Sequence, residues 1–100
     1  MPEEIPLRQW RKRNRFRLDD LAAQTGFTSA WISQIERGKR RILAARMALL
    51  SRQLEAPVRE LFGDGAEVAL AERLLAAGLT DDDLDHLGPS FYGHPARRAR

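Results

Sequence analysis

The chain has 100 residues, no cysteine and a formal net charge of +3. That length suits one domain with a modest core, and the lack of cysteine excludes disulfides and thiolate metal sites, as suits a reducing cytoplasm. No apolar run is long enough to span a bilayer, and Met1-Pro2-Glu3-Glu4 lacks the basic-then-apolar order of a signal peptide, so a cytoplasmic location and no membrane contact are expected.

The small net charge hides an asymmetry. Residues 1–41 carry Arg8, Arg11, Lys12, Arg13, Arg15, Arg17, Arg37, Lys39, Arg40 and Arg41 against Glu3, Glu4, Asp19, Asp20 and Glu36. Residues 64–87 carry Asp64, Glu67, Glu72, Asp81, Asp82, Asp83 and Asp85 against Arg73 alone, and the tail is basic again through Arg97, Arg98 and Arg100. A basic first half facing a polyanion, with an acidic second half facing away, fits this division. Arginine-rich genomic composition is the plainer account of the arginines in the first helix.

Pro6 suits the first turn of a helix in which Leu7, Trp10 and Asn14 share a face, Leu7 and Trp10 being core candidates. Arg8, Lys12, Arg13 and Arg15 then face solvent or phosphate. In the next pattern Leu18, Leu21, Ala22 and Thr25 fall at i, i+3, i+4 and i+7, one buried face closed by Gly26. Asp19 and Asp20 sit in its first turn, where the helix dipole favours carboxylates. After the short Gly26-Phe27-Thr28 connection, Thr28 is a good N-cap, and Gly38 supplies the left-handed residue that ends a third helix. Ile32 and Ile35 share its inner face. Ser29, Ala30, Ser33, Gln34 and Arg37 point elsewhere, forming a small, polar outer face that fits a groove of DNA. Lys39, Arg40 and Arg41 follow at once. A helix, a glycine turn and a second capped helix make a helix-turn-helix unit.

Beyond it, Ala44, Met47, Leu50, Ser51 and Leu54 recur at helical spacing, which predicts a fourth helix with Arg46 and Arg52 outside. Pro57, at a favourable first-turn position, opens a fifth over residues 57–62. After a Gly63-Asp64-Gly65 turn, residues 66–77 predict a sixth helix, with Val68, Ala71, Leu74 and Leu75 in one stripe, Glu67, Glu72 and Arg73 mainly opposite, and Gly78 as its stop. Thr80 caps a last helix over 81–87. Capping and solvation account for Asp81, Asp82 and Asp83 better than a cation site does. His86 and His94 lack a second histidine at ligand spacing and are expected as lone exposed side chains. Residues 88–100 are expected to be mostly irregular, with Phe91 and Tyr92 as anchors on the body.

Residues from about Leu7 to Phe62 resemble the Cro/repressor-like (XRE) helix-turn-helix family. The resemblance lies in Leu21-Ala22, Gly26, Ile32-Ser33, Ile35-Glu36-Arg37-Gly38-Lys39-Arg40 and Glu60-Leu61-Phe62. It implies an all-α fold with a five-helix, lambda-repressor-like DNA-binding domain over 1–63; composition and helical spacing add an acidic helical extension over 64–88, a candidate dimerisation or partner segment, and a basic, mostly irregular tail over 89–100. It also implies that Arg11 and Glu36 form a largely buried ion pair fixing the recognition helix against the first helix; the alternative is an exposed arginine near a solvated glutamate. The chain departs from the family pattern in several places. Arg17-Leu18 replaces the usual Ser-Gln, Trp10 replaces leucine or isoleucine, Ile42 replaces proline and Glu55-Ala56 replaces a glycine stop.

The resemblance implies a transcription regulator whose partner is double-stranded DNA, most simply a repressor working as a homodimer. Ser29, Ala30, Ser33 and Gln34 become base-reading candidates, Gln34 foremost, because a glutamine amide can pair with adenine in the major groove. Thr28 and Trp31 are candidates for groove or backbone contact, although Trp31 is equally placed to fold onto the loop after Gly38 or to be partly buried between helices. Arg15, Arg17, Arg37, Lys39, Arg40 and Arg41 are phosphate candidates. Val58, Phe62, Val68, Ala71, Leu74 and Leu75 are dimer candidates. A different class of reading keeps the fold but makes the chain an antitoxin or bridging module whose acidic segment, residues 64–87, binds a basic protein. No constellation for catalysis, a metal or a cofactor is present, so no enzyme activity is expected.

Overall fold

The computed structural model describes residues 5–87, all helical or turn, with no strand among them. The helices are α1 (Leu7–Arg13), α2 (Leu18–Thr25), α3 (Ser29–Glu36), α4 (Ala44–Leu54), α5 (Val58–Phe62), α6 (Ala66–Ala76) and α7 (Asp81–Leu87). The expected anchoring by Phe91 and Tyr92, the lone His94 and the arginines Arg97, Arg98 and Arg100 lie outside the described residues.

Helix ends follow local chemistry, in two places without the usual residue. α3 stops as expected: Gly38 has φ 70°, the Gly38 N–H donates to the Ile35 carbonyl at 3.1 Å, and the Lys39 N–H donates to the Gln34 carbonyl at 2.9 Å. This is a Schellman motif. α1 ends in the same hydrogen-bond pattern, Arg15 to Lys12 at 3.1 Å and Phe16 to Arg11 at 2.9 Å, but with Arg15 at φ 61° in the slot glycine favours. Glu55 does likewise after α4, at φ 54°. At the start of α2, Arg17 has no acceptor to offer, yet its own N–H donates to Asp20 Oδ2 at 2.8 Å, so half of a capping box forms.

The N-cap of α4 is Leu43, which has no side-chain acceptor. Glu67 of α6 supplies one from across the fold, its Oε2 accepting the Ala44 N–H at 2.7 Å. α7 begins with a full box, in which the Thr80 N–H donates to Asp83 Oδ2 at 3.0 Å and the Asp83 N–H donates to Thr80 Oγ1 at 3.1 Å. The Thr80 backbone N–H, and next its hydroxyl, hold the Asp83 carboxyl below its ordinary pKa. That depressed value means the cap favours the folded state above Asp83's unfolded pKa and ceases to do so as pH falls through the folded one.

The core is built around α4, where every residue from Ala44 to Ser51 is buried. α2, α5, α6 and α7 all pack against it, and Val68, Ala71 and Leu84 join the same cluster as Leu7, Leu21, Ile32 and Leu49. This enclosure corrects the expectation for Arg46, which is 0 % exposed rather than outside. Its guanidinium lies over the Phe27 ring, 5.3 Å from the centroid, a geometry in which a cation meets the negative face of the ring. Arg52, on the same helix, is exposed as expected. Val58, Phe62, Val68 and Ala71, expected as dimer contacts, are also spent on this core, while Leu74 and Leu75 remain half-buried.

The expected pair between α1 and α3 forms in full. Arg11 Nε donates to Glu36 Oε2 at 2.7 Å and Arg11 Nη2 to Glu36 Oε1 at 3.1 Å, while Arg11 Nη1 donates to the Phe16 carbonyl at 3.1 Å. The side chains are 12 % and 3 % exposed, so removing one partner strands the other, and unequally. Arg11→Ala leaves an unpaired carboxylate in the interior and is expected to lower unfolding stability by roughly 3–5 kcal/mol. Glu36→Ala leaves a guanidinium that keeps the Phe16 carbonyl and some water, and costs less. Urea denaturation of both variants checks this order; equal losses below about 1 kcal/mol, the surface-pair range, would contradict it. Glu55→Gly is expected to gain stability, by about 1 kcal/mol, because it relieves a left-handed backbone at a residue with a Cβ. The same denaturation series measures it.

Candidate nucleic-acid interface

α3 is held from behind at both ends. At its C-terminal end Glu36 is pinned by Arg11. At its N-terminal end Trp31 is 6 % exposed and stacks on Phe27, with ring centroids 4.4 Å apart and planes 24° from parallel. Trp31 is therefore an interior side chain, and the groove or backbone contact expected of it is corrected by that burial. The Arg46–Phe27–Trp31 pile ties the turn and the first turn of α3 to α4. Ile32 and Ile35, 2 % and 1 % exposed, complete the inner face.

The outer face stays open. Thr28 is exposed, and its Oγ1 accepts the Trp31 N–H at 3.0 Å, the N-cap bond expected of it. Ala30 is exposed, and Ser29, Ser33 and Gln34 are half-buried. None of the four is covered by another helix to the point of burial. Two of them have partners that spacing did not reveal. Ser29 Oγ donates to Asp19 Oδ1 at 2.6 Å, and Gln34 Oε1 accepts Arg40 Nε at 2.9 Å.

Those two bonds also locate the flanks. The Ser29–Asp19 bond sets the first turn of α2, and hence Arg17 at its N-cap, beside the first turn of α3. The Gln34–Arg40 bond folds the basic loop against the last turn of α3. Arg37, Lys39, Arg40 and Arg41 on one flank and Arg15 and Arg17 on the other are all exposed. Among the described residues, Arg15, Arg17, Arg37, Lys39 and Arg41 form no ion pair with a carboxylate, so their charge is available to an external anion. The geometry can offer hydrogen bonds from α3 to a base edge while cations on both sides meet phosphates.

Sequence reasoning missed Asp19 as part of this surface. It treated the residue as a helix-dipole partner, although the adjacency of two helix N-termini in a helix-turn-helix unit was a usable signal. Among the described residues, no group of three histidine, aspartate or glutamate side chains is placed to hold a metal ion, and no helix is long and apolar enough to cross a membrane.

A family model described as a helix-turn-helix domain matches residues 6–61. No curated protein and no solved structure matches the chain. The matched span runs from the N-cap of α1 to the last residue but one of α5 and contains the whole of α2, the glycine turn and α3. With its capped recognition helix, its Arg11–Glu36 pair and its open polar face between cations, the chain belongs to the helix-turn-helix domain family of the Cro/repressor-like (XRE) kind, a family of DNA-binding regulators.

Proposed function

We propose that the chain is a sequence-specific repressor that binds operator DNA as a homodimer, with α3 in the major groove. The observation that carries this reading is the face of α3 bearing Ala30, Ser33 and Gln34, which the rest of the fold leaves accessible between two groups of exposed cations. An α-helix fits the major groove, and there each base pair presents a distinct pattern of donors, acceptors and methyl groups. Ser29, Ser33 and Gln34 supply hydrogen bonds, and Ala30 supplies a small apolar contact suited to a thymine methyl. Arg15, Arg17, Arg37, Lys39, Arg40 and Arg41 supply the sequence-independent share of affinity by releasing counterions from phosphate.

One copy reads one half-site, so a near-palindromic operator with half-sites about one helical turn apart fits a two-fold pair of copies. The apolar side chains left for that pairing are on α6. Leu70 is 43 % exposed, and Leu74 and Leu75 are only partly covered. Occupying promoter DNA would suffice for repression, at an intracellular site where that DNA is found.

The antitoxin or bridging reading draws less support. It needs the carboxylates of residues 64–87 to be free for a basic protein, and several already serve the chain itself. Arg59 pairs with Asp64 and Glu72, Arg52 pairs with Asp81, and Glu67 caps α4.

Selection of bound sites from random duplex DNA, with sizing of the complex, tests the proposal. A two-fold symmetric site carrying two copies is expected; absence of any enriched site would overturn it. On the selected site, Gln34→Ala is expected to cost about 1–3 kcal/mol and almost nothing on unrelated DNA. Equal loss on both sequences would remove Gln34 from base reading. Lys39→Ala is expected to weaken binding to every sequence alike and to lower the slope of log K against log salt by about one unit. An unchanged slope would mean that Lys39 does not meet phosphate.

A further inference from the structure

The two polar side chains at the ends of the α3 reading face are not free to choose their hydrogen-bonding roles. Arg40 Nε can only donate, so the Gln34 atom it meets at 2.9 Å is the amide oxygen. With its oxygen engaged by Arg40, Gln34 keeps its NH₂ group for an outside partner, on a side chain joined to a guanidinium that has further N–H donors. An unrestrained glutamine offers a base one acceptor and one donor, the pattern that matches adenine N6 and N7. Gln34 with Arg40 offers donors side by side, the amide N–H and the guanidinium N–H groups. Two neighbouring acceptors on one base edge are the O6 and N7 of guanine.

The opposite constraint holds at the other end. A carboxylate accepts and does not donate, so in the 2.6 Å contact between Ser29 and Asp19 the serine gives up its only proton. What remains outward is the acceptor capacity of the Ser29 oxygen, beside a carboxylate with lone pairs to spare. That edge matches a base presenting an exocyclic amine, N4 of cytosine or N6 of adenine.

We propose that Arg40 and Asp19 are specificity-determining residues that polarise the reading face. The Gln34–Arg40 pair selects guanine rather than adenine, and the Ser29–Asp19 pair selects an amino-bearing base. The inference rests on the operator-reading function proposed above. It reassigns Arg40 from a pure phosphate contact to one that also fixes a base, and it gives Asp19, an acidic group on a surface built for a polyanion, a reason to be there.

Site selection from random duplex DNA with the full chain and its variants tests it. Gln34→Ala and Ser29→Ala identify the positions each residue reads, as the positions whose preference disappears. Guanine is expected at the Gln34 position of the wild-type site, favoured over adenine by about tenfold in binding, the size of one good bidentate contact. Arg40→Ala should move that preference to adenine, because the freed amide regains its acceptor, whereas loss of a phosphate contact alone would weaken binding without changing the base. Asp19→Ala should abolish the preference for cytosine or adenine at the Ser29 position, because the released hydroxyl can donate as well as accept. Adenine at the Gln34 position of the wild-type site, or a guanine preference that survives Arg40→Ala, overturns the Gln34–Arg40 assignment. An amine preference that survives Asp19→Ala overturns the other. An enriched site that ignores both Gln34→Ala and Ser29→Ala overturns the polarised face while leaving a DNA-binding regulator, and no enriched site at all overturns both proposals. Circular dichroism of each variant separates these results from a failure to fold.

Discussion

The orientation of α3 depends on one bidentate contact, Arg11 with Glu36. Glu36 stands on the last turn of the recognition helix, and Arg11 on the helix that crosses behind it. Because the carboxylate is 3 % exposed, it would be costly in any arrangement that left it unpaired. That penalty works as a restraint: α3 cannot roll or slide by a turn without stranding a charge. A hydrophobic contact in the same place would tolerate sliding far better, since apolar burial has no direction. The third Arg11 bond, to the Phe16 carbonyl at 3.1 Å, extends the restraint to the loop that carries Arg15 and Arg17, so these exposed cations keep register with α3.

The second anchor is the pile of Arg46, Phe27 and Trp31, and it shows why α6 and α7 matter to a surface they do not form. α4 has no solvent side over Ala44–Ser51, because α6 and α7 cover what the first five helices leave open. The Arg46 guanidinium is enclosed in that setting and faces the aromatic ring of the turn. Glu67 adds a direct tie by closing the first N–H of α4. The acidic extension is thus structural support for the helix against which Phe27 of the turn rests.

How far the chain was legible from its residues depended on how local each determinant was. The helices from α2 to α7 lie close to where periodicity and caps suggested, because Gly26, Thr28, Gly38, Pro57 and Thr80 act within one turn of themselves. The Arg11–Glu36 pair came from family resemblance; nothing in their spacing alone joins residues on separate helices. An arginine on a helix with an apolar stripe usually lies opposite that stripe, which would put Arg46 in solvent. Its burial is decided by α6 and α7, whose packing on α4 the stripe does not encode. The neighbours of Trp31 on α3 are small on one side and apolar on the other, so three surroundings suit it equally. The stack on Phe27 settles it, four residues away but across the turn. Asp19–Ser29 and Gln34–Arg40 escaped notice for the same reason: each joins two elements whose relative placement only the fold supplies.

Charge is distributed by pairing as much as by composition. On the α6–α7 side, Arg52 and Arg59 are matched with Asp81, Asp64 and Glu72, exposed or partly exposed pairs that contribute little stability individually but cancel field locally. On the α3 side, the exposed Arg15, Arg17, Arg37, Lys39, Arg40 and Arg41 have no carboxylate partner among the described residues, and the Asp19 carboxylate is bonded to Ser29. A polyanion approaching in 0.15 M salt senses charges only within a Debye length of about 8 Å. A net charge of +3 understates such a surface, because that sum subtracts the carboxylates of residues 64–87, which stand on or beside other helices. For a DNA-binding chain of this kind, a one-sided array of cations can orient the protein on a duplex before any base is touched.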